Sequence, residues 1–357
     1  MNETLNPERT IYNRQMAIFI FCIAILAKLA DLPALLTRQV QSSAFILIAI
    51  YCVLEVIVFV FIYLFAVGRG VEYLNRSHPA VKIPIYAILF LLLIFKLFFL
   101  STYAINVVTD LFFDTIDPVI IVMTMFPIIA FMVKKGIQPI ARTAEFFFLI
   151  CFLMIAFIFM FLDTEVNFNR LKPIFTDAPA KILDKGLSVG LFFGDTTSFL
   201  LVMLRKHQKN YVPVSLFFSY LLVIAITALS IAIFGNALSI SQNIIVELVT
   251  YNQIVAIIGR LQWIGLIPIM ILITVDLSFL FWGTAEALTG IIKKREIATY
   301  VVLLTLLIPL LAISNYERIF EFSTGPVGYI SFALSFLLPI VCYIMLCVLR
   351  RKYAKVN

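Results

Sequence analysis

Residues 192–198 read FFGDTTS and lie in the middle of the apolar run 187–204. The stretch places a glycine, an acid and three hydroxyl side chains where a membrane-spanning helix would otherwise be continuous. Glycine weakens a helix, and polar groups within a bilayer face the protein interior or a cavity. The stretch therefore predicts a break in a transmembrane helix, with polar groups turned inward.

A second interrupted run, residues 25–33 (ILAKLADLP), ends the first apolar segment of the chain. It carries Lys28 and Asp31 and then a proline, which disfavours helix at the residue before it. Paired broken helices that face each other at the bilayer midplane form the binding sites of many transporters. We therefore predict a pocket between two irregular segments, near residues 26–31 and 193–197.

The composition is that of an integral membrane protein over nearly its whole length. Of the 357 residues, 63% are hydrophobic and 13% are charged, against about 45–50% and about 25% in an ordinary globular domain. The five cysteines all lie inside apolar runs, so neither a disulfide framework nor a zinc motif is indicated. No basic run is interleaved with aromatic residues on a polar face, so we expect no nucleic-acid partner, and no metal or other cofactor.

Ten apolar segments are long enough to be candidate membrane spans. They are residues 15–36, 43–67, 83–108, 118–133, 145–162, 187–204, 212–234, 261–291, 297–313 and 328–349. We predict one membrane domain, 1–357, in which the connection 163–186 separates two five-helix halves, 15–162 and 187–349, before a short tail, 350–357. Halves with an odd number of spans have opposite orientations, so the count predicts an all-α inverted repeat of five plus five helices.

The distribution of lysine and arginine predicts the orientation of the chain. With the amino terminus in the cytoplasm, eighteen of the 27 cations fall in inside segments and seven in outside segments. Both termini are then cytoplasmic. The first fifteen residues are polar and lack the pattern of a cleaved signal peptide, and residues 235–260 suggest a helix lying across the outer face.

Six ionisable residues fall at similar depth within the predicted spans. They are Lys28, Asp31, Glu55, Lys96, Asp195 and Asp276. One interpretation is a set of structural ion pairs between helices, and the other is a binding site, because charges inside a bilayer usually mark function. We expect Lys28 to pair with Asp31, Asp195 or Asp276, since an unpaired buried ammonium is costly.

Several short motifs along the chain resemble one family. They are Gln15 at the start of span one and Leu32-Pro33 after its break, residues 54–64 (LEVIVFVFIYL), 136–142 (GIQPIAR), 169–174 (NRLKPI) and 260–263 (RLQW). The chain resembles the spore germination permease family, the B-type membrane subunits of nutrient germinant receptors, within the amino acid–polyamine–organocation superfamily. That resemblance implies a LeuT-type fold of ten spans with broken helices one and six.

The resemblance also implies a nutrient sensor in the spore inner membrane that works with a lipoprotein and a subunit with a large cytoplasmic domain. Together with the shared depth of the charges, it assigns ligand-binding roles to Lys28, Asp31, Tyr103, Asn106, Gly194, Asp195 and Thr196. Glu55, Lys96 and Asp276 are the coupling or buried charges. Family members usually have small residues in the break of span one, whereas this chain has Leu26, Ala27 and Lys28 there.

Two functions stay open at this point. One is a sensor that binds a small polar ligand such as an amino acid, and the other is a proton-coupled permease in which Glu55, Asp195 or Asp276 changes charge. An enzyme is not expected, because the two histidines, His78 and His207, both fall in predicted cytoplasmic loops and no catalytic motif lies in any span.

Overall fold

The structure is a computed structural model that describes residues 10–29, 32–112, 118–160, 166–173, 175, 178–204, 211–239, 262–312 and 325–354. These residues form twelve α-helices: α1 (Asn13–Leu29), α2 (Leu32–Val40), α3 (Ala44–Val67), α4 (Gly70–Arg76), α5 (Pro79–Phe112), α6 (Pro118–Lys134), α7 (Ile137–Met160), α8 (Pro179–Ser188), α9 (Val212–Phe234), α10 (Gln262–Ile292), α11 (Arg295–Ala312) and α12 (Pro326–Ala354). Short 3-10 helices cover Gln41–Ser43, Phe168–Leu171, Gly190–Phe192, Asp195–Leu201 and Gly235–Ser239. Two-residue strands, β1 (Thr10–Ile11) and β2 (Met203–Leu204), pair in parallel.

Several of the helices can cross a membrane. Six segments of the described chain are long and apolar enough to do so, and the pair α6 and α7, bent by 117°, would make a seventh. Nine of the predicted spans coincide with α-helix in the described residues. Span six instead contains the last two residues of α8, two 3-10 helices and strand β2. The prediction of an all-helical, multi-pass membrane protein is confirmed.

Helix α10 is the central element. In its most apolar stretch 89% of the residues are buried, whereas the corresponding value for α11 is 22%. Helix α10 packs against α1, α5, α6, α7 and α11. Outer helices carry a belt of exposed apolar side chains, for example Val53 on α3, Phe146 on α7 and Ile344 on α12. Such a belt is expected where side chains face lipid tails rather than water. Asp276 on the central helix is consequently remote from lipid.

The first predicted break differs from expectation. Helix α1 is regular through Leu29, so the prediction of irregular backbone is wrong for residues 26–29, and residues 30–31 lie outside the described part of the chain. Pro33 is the second residue of α2, in the first helical turn, where its missing N–H costs no hydrogen bond. The proline therefore helps to begin a helix rather than to interrupt one.

Other predictions outside the spans have mixed outcomes. The connection 163–186 includes the 3-10 helix at 168–171 and most of α8, so it is more ordered than a plain loop. Of the predicted surface helix at 235–260, residues 235–239 form a 3-10 helix, and the rest lies outside the described residues.

Candidate functional site

The predicted break in span six is present, and Gly194 is its centre. Phe193 and Gly194 separate the 3-10 helices Gly190–Phe192 and Asp195–Leu201, and Gly194 has a φ of 78°. A side chain at this position would place its Cβ 2.3 Å from the Cβ of Ser335 on α12. Only glycine satisfies both the positive φ and the close approach of the neighbouring helix. We refer to residues 190–201 as the break segment.

Lys28 on α1 points into the break segment and is fully buried. Its Nζ lies 3.0 Å from Oε2 of Glu55 on α3, and it donates a hydrogen bond of 3.3 Å to the carbonyl oxygen of Phe192. Nζ also contacts the rings of Phe193 and Tyr220, whose centroids lie 5.3 and 5.2 Å away. The ammonium thus joins α1, α3 and the break segment.

Lys96 on α5 makes the second ion pair of the site. Its Nζ lies 3.1 Å from Oδ1 of Asp195, and it also donates to the carbonyl oxygens of Leu191, at 3.0 Å, and Phe193. Lys96 is 1% exposed and Asp195 is 5% exposed, so water does not screen this pair. Helix α5 is held against the break segment by these contacts.

Glu55 completes the network from the other side. Its Oε1 accepts a 2.9 Å hydrogen bond from the backbone N–H of Gly194 and a 3.4 Å bond from the hydroxyl of Thr196. A backbone group that leaves regular helix inside a membrane needs a partner. Here Lys28, Lys96 and Glu55 supply partners for three carbonyls and one N–H of the break segment.

Asp276 on α10 stands apart from this network. It is fully buried, and neither carboxylate oxygen has a hydrogen-bond partner among the described residues. It lines a cavity of about 20 Å³ together with Lys96, Tyr103, Asp195 and other residues. A cavity of this size has room for about one water molecule. The second oxygen of Asp195, Oδ2, is also without a hydrogen-bond partner in this part of the molecule.

An aromatic cluster lies next to the charged network. The rings of Phe19, Phe199 and Phe279 lie with centroids 4.5 to 5.8 Å apart, and Trp282 stacks on Phe279 at 6.1 Å. These rings come from α1, the break segment and α10 and are almost completely buried. Phe279 and Trp282 follow Asp276 along α10, so the cluster lies on the side of that residue nearer the carboxyl end of the helix.

Polar contacts join helices near that same end. Glu145 on α7 accepts from Arg14 at 2.9 Å and from Gln15 at 3.2 Å, which ties the start of α1 to α7. Arg295 on α11 lies 3.4 Å from the buried Glu286 on α10. The contacts of Glu145 with Arg14 and Gln15 have to break if α1 moves relative to α7.

The comparison with known families decides the identity of the fold. Residues 10–321 match the spore germination protein family, also called spore permease. The chain belongs to this family. No curated protein matches the sequence. Among solved structures, the chain is similar to MHP1, a nucleobase-cation-symport-1 family transporter in a closed conformation with bromovinylhydantoin bound, with a TM-score of 0.60 and 15% identity over 94% of this chain and 82% of the transporter. The fold is therefore that of a LeuT-type transporter, and the chain is of a permease family rather than an enzyme family.

In this spore germination protein, most of the predicted site residues lie close together. Lys28, Glu55, Lys96, Gly194, Asp195 and Thr196 share one contact network, and Tyr103 and Asp276 line the adjoining cavity. Asn106 is on α5, half-buried, and is not among the residues that line the cavity, whereas Asp31 lies outside the described residues. Within the described residues, no group of three or more His, Cys, Asp or Glu side chains is placed to hold a metal ion.

The predicted partners of Lys28 need correction. Among the described residues its ion-pair acid is Glu55, and Asp195 pairs with Lys96, so the prediction is wrong for Asp195 and Asp276. The third predicted partner, Asp31, lies outside the described residues. The physical reason is the rotation of the helices: α1 turns Lys28 towards α3, whereas α5 turns Lys96 towards Asp195. The predicted depth of a residue in the membrane does not indicate which neighbouring helix its side chain faces.

Sequence reasoning missed three hydroxyl residues around the break. Tyr220 on α9 contacts Lys28, and Ser331 and Ser335 on α12 are buried, with Ser335 against Gly194. Their signal was a polar side chain within an apolar span, the same signal that marked Thr196. Ser331 and Ser335 hydroxyl oxygens have no hydrogen-bond partner among the described residues.

Proposed function

We propose that this chain is the permease-like, nutrient-sensing membrane subunit of a spore germinant receptor. It binds a small polar ligand, such as an amino acid, beside the break segment, between α1, α5 and α10. The observation that carries the proposal is Asp276, a fully buried carboxyl group without a hydrogen-bond partner in the described part of the chain.

The charges around the break support a ligand that carries a cationic or hydrogen-bond donor group. Two lysines and two acids form the pairs Lys28 with Glu55 and Lys96 with Asp195. Asp276 is a third acid, so the five groups, if all ionised, have one negative charge in excess. An ammonium group that contacts Asp276 and Oδ2 of Asp195 would balance that charge and satisfy both carboxylates.

Binding of such a ligand requires movement. The cavity of about 20 Å³ holds about one water molecule, so an amino acid enters only if the lining helices separate. A ligand changes a conformational equilibrium only through different affinities for the two states. In the proposed sensor, the open arrangement binds the ligand, and the accompanying shift of the break segment is transmitted to partner subunits.

The topology that goes with this proposal is ten spans in two inverted five-helix repeats, with both termini in the cytoplasm and the protein in the spore inner membrane. The partners are a lipoprotein and a subunit with a large cytoplasmic domain, as the family implies. The count of apolar segments and the asymmetry of the cations support this arrangement.

A proton-coupled permease is the second candidate, and the same carboxyl favours it. Asp276 could exchange a proton when the cavity opens, and a change of charge beside Asp195 and Lys96 would alter the balance of the network. The transporter fold is compatible with either function, because both require a ligand site and two conformations.

The test compares the parent with an Asp276→Asn variant. Spores that carry either form are exposed to a panel of L-amino acids, and germination is followed by loss of optical density. Loss of a charge-assisted hydrogen bond is expected to raise the half-maximal concentration about 10- to 100-fold. The matched control is Thr274→Val on the same helix. Its hydroxyl donates to the carbonyl of Met270 within that helix, and the variant should behave as the parent.

Flux separates the two candidates. The purified parent is reconstituted alone in proteoliposomes, and uptake of the active amino acid is measured with and without a pH gradient. A sensor responds in spores but transports nothing in vesicles. Proton-dependent uptake by the parent alone, abolished in Asp276→Asn, would establish the permease and reject the receptor subunit. An unchanged germination response in Asp276→Asn would reject the proposed site.

A further inference from the structure

A basic cavity lies at the junction of α3, α4 and α12, on the face predicted to be cytoplasmic. Its volume is about 260 Å³, and its lining includes Arg69, Glu72, Tyr73, Arg76 and Arg350. None of these residues belongs to the charged network around the break segment. Three guanidinium groups face one carboxylate, so the lining has two positive charges in excess.

The close packing of α12 on the end of α3 positions Arg350. Its Nη2 donates a 2.9 Å hydrogen bond to the carbonyl of Gly68, and its guanidinium lies 5.9 Å from the centre of the Tyr73 ring. A Cβ at Gly68 would lie 2.6 Å from Leu346 and 3.1 Å from Nη2 of Arg350, so this approach depends on the glycine. A guanidinium has five N–H donors, and the bond to Gly68 uses one of them. The remaining donors are held in a restricted orientation at the cavity.

The cavity adjoins the lipid-facing belt. Val67, in the last turn of α3, lines the cavity and is 37% exposed, and Leu64 in the same turn is 39% exposed. Apolar side chains of this kind meet acyl chains, whereas arginines one turn further along meet headgroups. A molecule that fills the basic cavity and also covers Leu64 and Val67 has an anionic head and an apolar tail.

We propose that this cavity is a binding site for the phosphate of an anionic phospholipid, with Arg350 and Arg76 as its principal ligands. Planar guanidinium groups bind phosphate oxygens in pairs of parallel hydrogen bonds, and basic pockets at the cytoplasmic ends of membrane helices bind anionic headgroups. The bound lipid joins α12 to α4 and the end of α3. The site is independent of the ligand proposed for the break segment.

The test uses the full chain in neutral detergent and measures its thermal unfolding midpoint during titration with short-chain phosphatidylglycerol. Phosphatidylglycerol should raise the midpoint, and phosphatidylcholine of the same chain length should not. In Arg350→Gln and in Arg76→Gln, the half-saturating lipid concentration should rise about tenfold, which corresponds to the loss of one charged hydrogen bond. Arg76 is exposed, so this variant is expected to fold even if loss of the bond to Gly68 impairs Arg350→Gln.

The matched control is Arg351→Gln, which removes an equal charge from an exposed neighbour on α12 that does not line the cavity. It should bind phosphatidylglycerol as the parent does. Equal weakening in Arg351→Gln, or no weakening in Arg76→Gln, would overturn the site. Equal stabilisation by phosphatidylcholine would show that the acyl chains cause the effect. Equal stabilisation by inorganic phosphate would assign the site to a free anion. Displacement of the lipid by polyglutamate would assign it to an acidic protein segment. Each of these three results would overturn the lipid proposal.

Discussion

Replacement of Lys96 by methionine tests whether the charged network holds the break segment in place. The substitution keeps the length of the side chain and removes the ammonium that donates to Asp195, Leu191 and Phe193. Removing one partner of a buried ion pair costs about 3–5 kcal/mol, and a buried carbonyl left without a donor costs about 1–3 kcal/mol. Local movement relieves part of this, so we expect the free energy of unfolding to fall by about 4 kcal/mol.

The assay is equilibrium unfolding in mixed micelles at increasing SDS fraction, followed by tryptophan fluorescence and circular dichroism. Lys82→Met is the matched control, because it is the same chemical change on the same helix at a lysine outside the charged network, whose Nζ lies 5.7 Å from the centre of the Tyr86 ring. Lys82 is half-buried, and a cation–π contact is worth about 0.5–2 kcal/mol depending on burial, so the control should cost clearly less than Lys96→Met.

A double-mutant cycle separates the pair from general loss of packing. Asp195→Asn removes the unpaired charge that Lys96→Met leaves behind, so the two changes together should cost about 2 kcal/mol less than the sum of the single changes. Additive costs, or a cost for Lys96→Met equal to that of Lys82→Met, would refute the conclusion that the Lys96 ion pair stabilises the break segment.

Two further predictions concern the backbone around the site. Gly194→Ala should lower the free energy of unfolding by about 3 kcal/mol, because alanine is strained at a φ of 78° and its Cβ would lie 2.3 Å from that of Ser335. At Gly325 a Cβ meets nothing within 4 Å among the described residues, so Gly325→Ala should change the same quantity by less than about 0.5 kcal/mol. Equal effects in the two variants would contradict the steric argument. Tyr51→Phe removes a 2.7 Å hydrogen bond to a carbonyl of α8 and should cost about 1 kcal/mol in SDS unfolding, whereas Tyr300→Phe, at a side chain that is 57% exposed, should cost nothing measurable.

Several features of this protein could be predicted from the amino-acid sequence alone. Hydrophobic content identified a membrane protein, and short motifs identified its family before the structure was considered. The break at Gly194 was also predictable, because a glycine followed by an acid and hydroxyl residues opposes helix in any surroundings. Residues 26–29 show the limit of such rules: the run predicted irregular backbone, but these residues are helical, and the Lys28 ammonium has acceptors on α3 and the break segment.

The sequence by itself predicted that Lys28, Glu55, Lys96, Asp195 and Asp276 are buried, because hydropathy places each of them within an apolar span. It did not determine that Lys28 pairs with Glu55 and Lys96 with Asp195, or that Asp276 has no hydrogen-bond partner in the described structure. Pairing depends on how each helix is rotated and which neighbour it faces. Those variables are decided by packing between segments that lie far apart in the chain, as Lys28 and Phe192 do, 164 residues apart. Only the tertiary structure therefore shows that Asp276 is a buried acid whose oxygens have no hydrogen-bond partner among the described residues.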